Sequence, residues 1–281
     1  MGQLEGFLHS QRRRPCNNRK DMHLLEKVYP RIERGVRLCH AAAWTGAQAL
    51  GLGLLDADEL VRLTVQRFES STYLDPAYNL EAGLWLWERE AVQRFFPPTG
   101  RILVGAAGSG REMIALHRMG YTVQGFDCAH TLAEAGQRLL RDAGCSAPLT
   151  WAPPGTVPEL KGPFDGAIMG WSGYMYIPLR SQRVQLLQDF RGLLRCGGPL
   201  LVSFQTREHY ERRMVWSARG ANWIRKLRGV PPVTTGDRLD NGFKHWFNRD
   251  DIEGEMAEAG LRMEWYGADG YGWAVGTRAD R

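Results

Sequence analysis

One segment constrains this chain more than any other: the apolar run Arg101-Ile-Leu-Val-Gly105, the turn Gly105-Ala-Ala-Gly108-Ser-Gly110, and a helical run from Arg111 to Met119. A short apolar stretch bounded by glycines reads as a buried strand. Glycines between a strand and a helix let backbone N–H groups approach a ligand closely. The helix N-terminus adds a partial positive charge that favours an electron-rich ligand atom. Tyr121-Thr-Val-Gln-Gly-Phe126 reads as the next strand and ends at Asp127, 22 residues after Gly105. In an open parallel sheet this spacing carries the acid to the crevice beside the turn. An ionised Asp has two acceptor oxygens and can hold both hydroxyls of a ribose. Turn and acid together predict a nucleoside site.

The flanking sequence supplies the rest of such a sheet. Leu149–Trp151, Phe164–Met169 and Pro199–Phe204 read as three more strands, with helices over 131–143 and about 180–195 between them. Strands alternating with helices give a parallel sheet covered on both faces. Arg249-Asp250-Asp251 opens a further helix that runs to Ala259. Leu261–Tyr266 and Gly272–Thr277 then form two strands around Gly267-Ala-Asp-Gly270, a reversed hairpin. The expectation is an α/β fold with a Rossmann-like, mostly parallel, seven-stranded sheet. Upstream, residues 1–21 read as a flexible basic arm. Residues 22–96 read as a helical lid: the pattern turns helical at Leu24, Asp56 and Glu59 form a capping box, and a helix is expected from about Asn79 to Phe95. Residues 97–281 then form the core, interrupted by a cap insertion at 205–245.

Composition removes several alternatives. No apolar run approaches the ~18–20 residues that span a bilayer. The arginines at 12–14 precede no apolar stretch, so the N-terminus does not read as a secretory signal. Five cysteines without a CxxC pair fit reduced thiols, no metal cluster is visible, and a cytoplasmic location is expected. The net charge of +5 is accounted for by residues 1–40, with nine Lys/Arg against four acids; the remainder is neutral. A neutral body is a poor duplex nucleic-acid binder. Within it, residues 207–228 hold seven basic groups against Glu208 and Glu211, interleaved with Met214, Trp216, Trp223, Ile224 and Leu227.

The nucleotide is narrowed by what the turn lacks. A G-x-G-x-x-G dinucleotide fingerprint would need a third glycine near Ile114, and no phosphate-binding lysine follows. Four segments instead resemble the class I S-adenosylmethionine-dependent methyltransferases: Ile102–Glu112 their first motif, Gly125-Phe126-Asp127 the acidic end of the second strand, Phe164–Gly170 the fourth-strand motif, and Leu194–Val202 the approach to the fifth strand. His245–Ile252 through Leu261 resembles their last helix, and the closing hairpin fits. The resemblance covers about 100–206 and 243–278. It implies S-adenosylmethionine as cofactor, held by Gly105, Ala106, Ala107, Gly108, Gly110, Asp127, Met169 and Gly170. Tyr73 and Tyr78 resemble aromatic residues that many members place over the cofactor. Two departures stand out. The family's first glycine falls on Ala106 and its acid after the first strand on Val104, for which Glu112 is the substitute candidate. The third strand ends Trp151-Ala-Pro-Pro154, leaving adenine to backbone and Trp151.

Methyl transfer needs the acceptor in line with the methyl carbon and, for some acceptors, a base. Residues after strand four (Trp171, Ser172, Tyr174, Tyr176) and after strand five (Gln205, Thr206, His209, Tyr210) are expected on the acceptor side. His245, His209 and Tyr174 are the catalytic candidates. His245 also reads as a structural histidine, His209 as a surface one, and Asp237 as a turn aspartate. The leading expectation is methyl transfer to O, N or C of a small biosynthetic molecule. The cap's charge suggests an anionic acceptor with an aromatic portion. RNA or protein methylation and a non-catalytic cofactor-binding role are the alternatives.

Overall fold

The structure is a computed structural model that describes residues 18–70, 81–207, 211–268 and 271–278. The chain divides into two units, residues 1–44 and 45–281. Helix α1 (Asn18–Leu54) supplies the described part of the first unit and the opening residues of the second. It begins at Asn18, so residues 18–21 are helical where a flexible arm was expected; the rest of that arm lies outside the described residues.

Alternation along the strands builds the second unit. The sheet has the order β3-β2-β1-β4-β5-β9-β8, with β1 (Arg101–Gly105), β2 (Thr122–Asp127), β3 (Leu149–Trp151), β4 (Gly166–Met169) and β5 (Pro199–Phe204) parallel. β9 (Gly272–Arg278) runs antiparallel to β5, and β8 (Leu261–Gly267) antiparallel to β9. Successive residues point to opposite faces, and they enter two separate cores. Leu103, Ala167, Met169, Leu200, Val202 and Ala274 enter one, against Phe190 and Met256. Ile102, Val104, Ile168, Leu201, Trp273 and Val275 enter the other, against Val92, Met113 and Leu140. Both faces are therefore apolar, which is why the strands read as continuous hydrophobic runs.

Helices cover the two faces. α2 (Ala57–Phe68) starts at the expected capping box: Asp56 Oδ1 accepts from Glu59 N–H and Glu59 Oε2 from Asp56 N–H, both at 2.8 Å. α3 spans Leu86–Phe95, shorter than the helix expected from Asn79, because Gly83 takes φ +61° and Trp85 is extended. Residues 71–80, including Tyr73 and Tyr78, lie outside the described residues. α4 (Arg111–Arg118), α5 (His130–Asp142), α6 (Arg180–Leu193) and, after the insertion, the helix Arg249–Glu258 fall where expected, within a few residues.

The insertion contains α7 (Glu211–Arg228) and a two-stranded ribbon, β6 (Asp237–Leu239) with β7 (Phe243–His245). The ribbon packs on α2, where Thr64 Oγ1 accepts from Phe243 N–H at 3.0 Å. The helix Arg249–Glu258 (α8) is tied to α6 by a buried ion pair. Arg183 donates through Nη2 to Glu255 Oε1 at 2.6 Å, and Tyr174 donates its hydroxyl to the other oxygen. Removing one partner of a buried pair leaves the other charge uncompensated, at about 3–5 kcal/mol. Glu255→Ala is therefore expected to cost about that much in urea unfolding; a loss below about 1 kcal/mol would contradict the assignment.

Candidate functional site

The glycine turn, the ends of β2 and β4, the segment after β3 and one side of α2 enclose a cavity of about 380 Å³. It lies at the carboxyl ends of the parallel strands, where the topology of an open α/β sheet leaves a crevice. The size suits one nucleotide-sized ligand.

Asp127 organises the floor. It is 6% exposed, its Oδ2 accepts from Gly108 N–H and its Oδ1 from Ala129 N–H, each at 2.8 Å. Each oxygen can accept a second hydrogen bond. Burial raises its carboxyl from the ordinary value, while the backbone N–H groups of Ala129, Gly108 and Cys128 pull it back. The neighbouring Cys128 thiol is pushed up to about 12 by burial and by Asp127, so it stays protonated at neutral pH.

The turn's residues divide into those facing the cavity and those shaping it. Ala106, Ala107, Gly108 and Ser109 line it. Ala106 takes φ +49°, a left-handed conformation that costs a residue with a Cβ roughly 1–2 kcal/mol. Gly110, at φ +89°, is the N-cap of α4. Gly105 and Gly170 do not line the cavity. A Cβ on Gly105 would lie 2.6 Å from the Phe190 ring, and one on Gly170 would lie 2.4 Å from the Ala106 carbonyl. Their contribution is the close approach that holds the turn against the end of β4, where Gly170 N–H donates to Gly105 O at 2.7 Å.

Met169, Trp171 and Tyr176 line the cavity, and Ala152–Thr156 form its wall beyond β3. Trp151 itself does not. It is 49% exposed, and its Nε1 donates to the Cys128 carbonyl at 3.0 Å, in a shallow depression adjoining the cavity. The strand's last side chain thus adjoins the cavity, and the residues that follow it line the wall.

Two of the catalytic candidates lie away from the cavity. Tyr174 is 1% exposed and engaged with Glu255, stacked on Phe247 at 5.4 Å. His245 is 2% exposed, its Nδ1 2.6 Å from Asp237 Oδ1, within the ribbon that braces α2. Neither lines the cavity, so the structural reading of His245 is the one that fits. His209 and Tyr210 lie outside the described residues. No described residue of 205–245 lines the cavity, so the cap's positive charge gives no reason to expect an anionic acceptor.

What sequence reasoning missed is α2. Val61, Val65 and Phe68 present a wall at helical spacing, and Phe68 meets Tyr176 edge-on at 4.9 Å. The i, i+4, i+7 spacing was visible, but a second binding face on a core helix looks the same as more core. A charged network was missed too. Arg111 forms a bidentate pair with Glu88 at 2.6 and 2.7 Å and reaches Glu112 Oε1 at 2.6 Å; Glu112 also accepts from Trp171 N–H at 3.1 Å. Glu112 lines the cavity, while Val104, in the position of the absent acid, is fully buried. Among the described residues no cluster of metal-ligating side chains occurs.

The comparisons with known proteins bear on the fold. In sequence, no protein-family model and no curated protein matches the chain. In structure, it is similar to a S-adenosylmethionine-dependent methyltransferase from Methanosarcina mazei (TM-score 0.56, 14% identity, covering 70% of this chain and 99% of that one). It is similar to a sugar N-methyltransferase from Streptoalloteichus (0.52, 16%, 73% and 89%). It is similar to magnesium protoporphyrin IX methyltransferase from Synechocystis, solved with the cofactor bound (0.52, 12%, 80% and 98%). The chain has the fold of the class I S-adenosylmethionine-dependent methyltransferases.

Burial raises the Glu88 carboxyl to about 7, against 4.5 for the free group. A raised carboxyl pKa favours folding when protonated. Its contribution is complete below about pH 4.5 and is lost as pH rises through about 7. Glu88→Gln is expected to flatten the stability–pH curve across that window, measured by urea midpoints. A curve parallel to the parent's would show that Glu88 is not the titrating group.

Proposed function

We propose that the chain is a S-adenosylmethionine-dependent methyltransferase acting on a small molecule. One observation carries the reading: a buried carboxylate, Asp127, shares a nucleotide-sized cavity with a glycine turn at the carboxyl ends of parallel strands. The residues fit the cofactor. Asp127 keeps acceptor capacity for the two ribose hydroxyls after binding Gly108 and Ala129. The Ala152–Pro154 backbone faces the adenine end. Glu112 is the buried carboxylate available to the amino-acid end, in place of the acid replaced by Val104. Trp171, Tyr176 and Phe68 offer aromatic faces, which attract a cationic sulfonium.

When bound, the cofactor supplies an activated methyl group. The chain's own contribution is orientation and exclusion of water. The turn fixes one wall, Met169 and Trp171 border the acceptor side, and Val61, Val65 and Phe68 of α2 form another wall. The enclosure by α2 supports a small acceptor over a polymer.

Calorimetry with S-adenosylhomocysteine tests the reading. One-to-one binding is expected, and Asp127→Ala is expected to weaken it about 100-fold through loss of two charge-assisted hydrogen bonds. Circular dichroism would verify that the variant keeps its fold. No binding by the parent chain, or equal binding by the variant, would overturn the assignment.

A further inference from the structure

Helix α7 divides sharply between a buried and an exposed face. Met214, Ser217, Ala218, Ala221 and Arg225 are buried. Arg225 Nη1 donates to the carbonyls of Leu52 and Leu55, both at 2.7 Å, and Arg228 to that of Gly53 at 3.1 Å. The helix is thus fixed to the body of the protein. Its outer face carries Trp216, Trp223 and Leu227, 63%, 68% and 70% exposed. At 3.6 residues per turn these three fall within about 40° of one another, in a row about 16 Å long. Arg212, Arg219 and Lys226 run along one flank and Arg213 along the other, all exposed. The Arg219 guanidinium lies over the Trp216 ring at 5.2 Å. The helix's single acid, Glu211, projects about 140° away from the Trp216 direction.

We propose that this face docks on a membrane surface containing anionic lipid. A central apolar stripe with indoles, flanked by cations, is the arrangement that lies in a bilayer interface. Indoles favour the headgroup level, and each cation near an anionic surface adds about 1 kcal/mol. The shape selects lipid over single-stranded nucleic acid, which is held in grooves that track its backbone. Here the row stands on a convex helix. The cations on both flanks oppose pairing with a second copy of the same face. No helix of the described residues is long and apolar enough to cross a membrane, so the contact is peripheral. The inference does not depend on the methyl-transfer reading.

Sedimentation with vesicles tests it, using phosphatidylcholine alone and phosphatidylcholine mixed with phosphatidylserine. The full chain is expected to partition onto the mixed vesicles, with indole emission shifted to the blue, and to remain free with phosphatidylcholine alone. Replacing Arg212, Arg219 and Lys226 by Gln is expected to weaken partitioning about 100-fold. Trp216→Ala with Trp223→Ala is expected to abolish the blue shift and weaken partitioning at least about 10-fold. Both variants change exposed residues, and their far-ultraviolet circular dichroism should match the parent's. Absence of binding to the mixed vesicles, equal binding to both vesicle types, or unchanged binding by either variant would overturn the proposal. So would salt-sensitive binding of single-stranded RNA without vesicle binding.

Discussion

The site depends on the two hydrogen bonds that Asp127 accepts from Gly108 and Ala129. One ties the strand-one turn to the end of strand two; the other starts the next helix. A buried carboxylate without such partners would be strongly disfavoured. With them it stays in place at the bottom of the cavity, where the chain would otherwise have separate loops. The positive φ values at Ala106, Gly108 and Gly110 follow from the same constraint, since the turn must present its N–H groups inward within a few residues.

Around this point the fold distributes its load. The sheet's two faces build two cores by simple alternation. Ion pairs then fix the elements that border the cavity. Arg111 holds Glu88 of α3 and Glu112 of α4 together, and Glu112 reaches the backbone at Trp171. Arg183 and Glu255 do the same for α6 and α8, away from the cavity. The insertion acts at one remove. Its ribbon, with the Asp237–His245 pair inside, bonds to Thr64 and so braces the helix that walls the site. The basic helix of the same insertion buries Arg225 and turns Arg212, Arg213, Arg219 and Lys226 outward.

Much of this was legible in the sequence because it rests on local signals. The strands Arg101–Gly105 and Pro199–Phe204 are apolar runs closed by turn residues, and their bounds, like those of the short Leu149–Trp151, are as expected. Asp127 and the glycine turn were readable from spacing alone. The errors fall where long-range packing decides. Tyr174 follows strand four, as an acceptor-side residue would, but a Glu 81 positions away claims its hydroxyl. His245 sits in an aromatic setting that resembles an active site, and Asp237 claims its ring nitrogen. The cap's charge was expected to bear on the acceptor, because the insertion follows strand five. Its anchoring to Leu52, Leu55 and Thr64 is a tertiary fact with no periodic signature.

The most direct test of the account is a crystal structure of the chain with S-adenosylhomocysteine. The account predicts the ribose hydroxyls within hydrogen-bonding distance of the Asp127 carboxylate, adenine against Ala152–Pro154, and the sulfur between the glycine turn and Met169. A ligand bound outside the cavity, or a ribose facing away from Asp127, would contradict it.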